Sequence, residues 1–228
     1  MRKLISLFML SCATSLFTSA QPATNISVKA KKDSTLRAMM HEDSLKVDKQ
    51  FAEEEMLEKL KSKIQYPLLK GGDFSGFVPV NNADEIPDPN IDYKLLFELT
   101  YNNPDSTAKD INGGLTEITR IINLHVASGI PAKRIFPVII VHGMALDAIC
   151  NNAAYQKRHK LDNPSIQLIN DLIKKAGAKF IACGQAMVAF DVKKEDLLPD
   201  VKVSITAQTV LSHYQLKGYV LYKINDIR

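Results

Sequence analysis

Strands and helices alternate from residue 92 to residue 224. This alternation predicts an α/β domain with a mostly parallel sheet of about five strands and helices on both faces. Two further observations agree. Residues 134–143 (RIFPVIIVHG) hold a continuous apolar run of strand length, the pattern of a strand buried on both sides. Gly129, Gly177 and Gly218 each stand where a helical pattern stops.

The elements follow in order. Residues 92–100 (DYKLLFELT) read as the first strand, and a loop (NPDSTAKDING) leads to Gly113 and Gly114 at the start of a helix over 115–129. Leu115, Ile118, Ile121, Ile122 and Val126 fall on one side of that helix. The strand over 134–143 is weakened early by Pro137. A short helix is expected over 145–159. The helix over 162–177 is the best marked, with Asn163 to cap it, Pro164 in its first turn and Gly177 at its end. Strands over 179–183 and 201–205, a helix over 206–218 and a strand over 219–224 complete the domain.

Upstream, residues 21–35 read as a polar tether. Residues 36–64 read as a charged helical arm whose apolar stripe is Met56, Leu57, Leu60 and Ile64. Packing of this stripe on the domain or on a neighbouring subunit is one reading, and a solvated arm is the other. Residues 66–90 are rich in proline and glycine and read as an irregular lead-in. The N-terminus (MRKLISLFMLSCATSLFTSAQPA) has basic residues, an apolar stretch and small residues around Ala20, the layout of a secretory signal peptide over 1–20. An exported chain, periplasmic or secreted, is therefore expected. Lipidation at Cys12 is the rival reading. The apolar stretch is too short for a membrane span.

Charge and composition exclude some classes. The chain of 228 residues has 29 basic and 25 acidic residues, a balance that does not suit a nucleic-acid binder. There is no glycine-rich phosphate loop, no GxSxG, no CxxC and no HExxH, so no metal site and no cofactor are expected. Beyond the predicted leader only Cys150 and Cys183 remain. That number is not a disulfide framework, and either one bridge or two free thiols is open.

In an open parallel sheet, ligands bind beyond the carboxyl ends of the strands. The predicted strands end at Thr100, at His142 and Gly143, at Cys183 and Gly184, and at Thr206. Cys183, His142 and Thr206 should then share one rim. A thiol there, followed by Gly184 and Gln185 at a helical turn, faces backbone N–H groups that stabilise a thiolate. His142 could orient or deprotonate a partner. The competing readings are a buried, unreactive Cys183 and a structural His142.

The stretches "IIVHGMAL", "NPSIQLINDLIKKAGAKFIACGQAM" and "LLPDVKVSITAQTVLSHYQLKGYVLYKI" resemble the DsrE/DsrF-like family over about residues 90–226. The resemblance implies a flavodoxin-like three-layer α/β/α fold and a homo-oligomer, a trimer or hexamer. It also implies a sulfur-relay role in which Cys183 carries persulfide sulfur between donor and acceptor proteins. Relay subunits of this family work in the cytoplasm, whereas this chain reads as exported. The expected function is persulfide-carrier or sulfurtransferase-like thiol chemistry, with an anion-binding surround of Gly143, Gly184, Gln185 and Thr206. The alternative is a non-catalytic oligomeric module that binds a small ligand or acts as a scaffold.

Overall fold

The computed structural model describes residues 24–226, so the predicted leader and Cys12 lie outside the described residues. The chain divides into two units, one up to Glu55 and one from Met56 onward. Helix α1 (Thr24–Lys61) makes up the described part of the first unit and ends in the second. It begins at Thr24, inside the stretch where a tether is predicted. No proline or glycine interrupts 24–61, and Ala, Lys, Arg, Leu and Met carry the helix back through residues 28–40. From Lys31 to Glu55 every side chain is exposed. Glu42–Lys46 and Lys49–Glu53 pair one turn apart, at 3.0 and 3.7 Å.

The second unit carries β1 (Tyr93–Leu99), α2 (Gly113–Ala127), β2 (Ile135–Val141), α3 (Asn152–His159), α4 (Ile166–Ala176), β3 (Lys179–Cys183), α5 (Gly184–Ala189), β4 (Lys202–Ser204), α6 (Ala207–Leu216) and β5 (Val220–Ile224). All neighbouring strands are parallel, in the order β4-β3-β2-β1-β5. The expected flavodoxin-like three-layer architecture is present. Its strand order differs from the 2-1-3-4-5 of flavodoxin itself. Four strands are laid down stepwise in one direction, and α6 then carries the chain back past them to the far side of β1. Right-handed crossovers in opposite directions put their helices on opposite faces. So α2, α4 and α5 cover one face and α6 covers the other.

Burial follows this division. On the first face Phe97, Leu99, Ile139, Val141 and Phe180 meet Leu115, Ile118, Ile122, Leu168 and Leu172. On the second, Leu96, Val138, Ile140, Ile181 and Cys183 meet Ala207 and Leu211 of α6. Pro137 is tolerated in β2 because pairing with β3 begins only at Val138. The helix stops are as predicted: Gly177 takes φ 67° as the C-cap of α4, and Gly129 and Gly218 take φ 90° and 79°.

Two helices differ from expectation. Residues 143–149 wind as a 3-10 helix, and an isolated bridge between Cys150 and Leu197 interrupts the path. Asn151 then starts α3 afresh, its side chain accepting from Ala154 N–H at 2.9 Å. Asn163 does not cap α4. Its Oδ1 accepts from Ser165 N–H, while its amide donates to the carbonyls of Ala148 and Cys150 at 2.9 and 2.6 Å. This buried amide is spent on the irregular turn, and the helix begins at Ile166.

The lead-in is irregular but pinned. Gln65 and Phe77 exchange two backbone hydrogen bonds of 2.9 Å, and Asn123 of α2 holds the loop between them from inside. Leu60 and Ile64 of the predicted stripe line a cavity with Phe74 and Phe77 of this lead-in, whereas Met56 stays exposed.

Candidate functional site

Register and alternation place a row of polar side chains along the carboxyl rim, all on the α6 face. Glu98 pairs with Lys223 of β5 on one side and Ile140 of β2 on the other. His142 stands two residues past Ile140 in extended backbone (φ −149°, ψ 174°), so it shares that face. Val141 pairs with Ala182, which sets His142 beside Cys183 one step further on. Cys183 in turn pairs with Ser204. From β5 at one edge of the sheet to β4 at the other, the row therefore reads Lys223, Glu98, His142, Cys183, Ser204. Thr206 caps the helix that overlies the row, and its hydroxyl accepts from Gln208 N–H at 3.4 Å.

Cys183 is 5% exposed and packs in the small apolar cluster under α6. Its sulfur accepts the N–H of Ala207, the first residue of α6, at 3.2 Å. The start of α6 thus presents one of its unsatisfied backbone donors to the sulfur. The amide source differs from the one predicted at Gly184 and Gln185. Gln185 N–H is taken by the carbonyl of Ile205 at 3.1 Å, because α5 starts hard against the end of β4. Gly184 serves this close approach. A Cβ there would lie 2.6 Å from the carbonyl oxygen of Ser204. Gly184→Ala is thus expected to cost about 1–3 kcal/mol, read as a lower urea midpoint, and to push β4 away from the thiol. An unchanged midpoint would show that β4 yields freely. Gly143 takes φ 64° and turns the chain out of β2 with open space around it.

His142 does more than end a strand. Its Nε2 lies 3.2 Å from Oε1 of Glu98, and both side chains are mostly buried. Glu98 was not among the sequence candidates. Its signal is a carboxylate inside an apolar strand (LLFEL), where only a partnered charge is tolerated.

Cys150 lies on the opposite face, in the large core with Leu146 and Ile149. The sheet stands between the two buried free thiols, and the bridge left open by the sequence does not form. Burial, with the nearby Asp196 carboxylate second, pushes the Cys150 thiol up from its ordinary value of 9.0 to about 12. The folded thiol holds its proton above the pH at which the unfolded thiol loses it. This contribution to stability is fully present below about pH 9 and is lost as pH rises toward about 12. Denaturant midpoints measured across that window should fall less steeply in Cys150→Ala than in the unaltered chain. Parallel slopes would refute the assignment.

His159 is half-buried against Tyr155, with ring centroids 4.4 Å apart. Its Nε2 bonds Asp147 at 3.0 Å, and Arg158 bonds the other oxygen of the same carboxylate. The cluster ties α3 to the turn after β2. Among the described residues, no group of three His, Cys, Asp or Glu side chains could hold a metal ion, and no helix is long and apolar enough to cross a membrane. The largest cavity described, about 470 Å³, lies away from the thiol between residues 77–87 and α2.

A three-layer α/β domain with a thiol at the end of its third strand, held by the first amide of a helix on that face, defines a protein with one rim sulfur centre. The family model described as the DsrE/DsrF-like family matches residues 99–222, and the chain belongs to that family. Among solved structures, the chain is similar to a protein of unknown function from Methanobacterium thermoautotrophicum. The identity is 17% and the TM-score 0.43, covering 58% of this chain and 99% of that one. No curated protein matches the chain.

Proposed function

We propose that this chain is an exported sulfur carrier that holds sulfane sulfur as a persulfide on Cys183. The observation that carries the reading is the Ala207 N–H on the Cys183 sulfur at the start of α6, in a member of a sulfur-relay family. In the transfer, Cys183 attacks the outer sulfur of a donor persulfide. One S–S bond forms, the donor's S–S bond breaks, and the donor leaves as a thiol with the proton that Cys183 gave up. Atoms and electrons balance without metal, cofactor or external oxidant. His142, next in the row, would hold that proton in transit. The apolar, Ser/Thr-broken leader supports action in the periplasm or outside the cell. Exposed Phe136, Ile205 and Leu216 on or beside the α6 face support self-association as a trimer or hexamer. The experiment is to expose the purified chain to glutathione persulfide, remove the donor, and measure sulfur released by cyanide. About one sulfur per chain is expected, and none would sink the reading.

The second reading is a ligand-binding or scaffold module in which Cys183 is lining. The low exposure of Cys183 and its place in an apolar cluster favour it. It requires that Cys183 in the native protein resist iodoacetamide.

A further inference from the structure

We propose that Glu98 is a positioning residue for Cys183 chemistry, fixing the tautomer of His142 so that Nδ1 is the nitrogen left to accept the thiol proton. The inference rests on the sulfur-carrier reading for its consequence, but its own geometry is independent of it. A carboxylate is an acceptor only, so the 3.2 Å contact between Glu98 Oε1 and His142 Nε2 requires the proton on Nε2. In the neutral ring, Nδ1 is then the free acceptor, and among the described residues no hydrogen-bond partner occupies it. His142 is held along its backbone too, its N–H donating to the carbonyl of Leu99 at 3.1 Å. The carboxylate therefore acts on a ring already fixed at its root.

The placement has no simple structural account. Glu98 occupies a β1 position whose strand neighbours Leu96 and Leu99 are fully buried. Lys223 stands opposite on β5, but no ion pair joins the two. The hydrogen bond that Glu98 makes goes to the ring beside Cys183. Orienting an imidazole through its far nitrogen is how a carboxylate serves a thiol or hydroxyl it never touches.

The test uses the full chain with 15N-labelled histidine. The unaltered protein should show His142 protonated at Nε2 and bare at Nδ1. Glu98→Leu should populate both tautomers and slow persulfide uptake from glutathione persulfide about 10- to 100-fold, with the far-UV circular dichroism retained. Glu98→Gln keeps an acceptor oxygen, so it should keep the tautomer and lose less rate. It also serves as the folded control if the leucine variant unfolds. An unshifted tautomer in Glu98→Leu overturns the proposal, and so does a shifted tautomer with an unchanged rate. If the unaltered chain takes up no sulfur, the carrier reading fails, while the nitrogen shifts still decide whether Glu98 orients His142.

Discussion

Cys183→Ala is expected to abolish cyanide-releasable sulfur on this protein, whereas Cys150→Ala should retain all of it. The reason lies in the two environments. Cys183 sits at the end of β3 with a helix amide on its sulfur, and its neighbours on the rim are His142 and Ser204. Cys150 is fully buried, bonds the carbonyl of Leu146 at 3.3 Å, and is held in its neutral form far above neutral pH. A neutral thiol is a poor nucleophile. Quantitative alkylation of the native chain at neutral pH should therefore modify one site, identified by peptide mass mapping. Modification at Cys150 first would contradict the assignment of roles. Cys183→Ser separates chemistry from packing, because it keeps a polar atom near Ala207 N–H and should lose sulfur uptake without losing the fold.

Asn123→Ala should cost the second unit about 3–5 kcal/mol and lower its melting temperature by roughly 10 °C. Asn123 is fully buried on α2. Its Oδ1 accepts from the N–H groups of Leu68 and Leu69 at 3.2 and 3.1 Å, and its amide donates to the carbonyls of Leu69 and Ser75 at 2.7 and 2.6 Å. Truncation strands two donors and two acceptors away from water, and each unsatisfied group costs about 1–3 kcal/mol before relaxation. The first consequence is local. Limited proteolysis should cut within 66–90 while the sheet stays intact, because Asn123 makes four of the hydrogen bonds that hold that segment to α2. Asn123→Asp keeps the acceptor and loses the donors, so its melting temperature should fall between the other two. Simultaneous loss of lead-in and sheet would mean that the two do not separate.

The sheet was legible because burial on both faces writes itself locally. β2 is an apolar run, β3 ends an apolar run in Cys183, and the glycine stops mark the helices between them. His142 and Cys183 on one rim followed from the same logic. The parts that were not legible depend on residues far apart in sequence. Ala207 N–H reaches a sulfur 24 residues earlier only through the register of β3 with β4. Glu98 meets His142 across 44 residues, and nothing local to LLFEL names that partner. Asn163 looked like a cap because Asn-Pro before an apolar helix usually is one. The irregular turn over 143–150 offered it unpaired carbonyls instead. Opposite placement of the two cysteines could not be read from spacing, since it is set by the alternation along β3 and by the path of the irregular turn over 143–150.

That placement has a consequence for cargo. A persulfide beside a second thiol collapses to a disulfide and loses its sulfur as hydrogen sulfide. For Cys183 the other described thiol, Cys150, lies behind a wall of interlocked strands, so discharge onto Cys150 has no route. On the sulfur-carrier reading, sulfur loaded there would wait for another molecule to collect it, and encounter with an acceptor would set the lifetime of the loaded state.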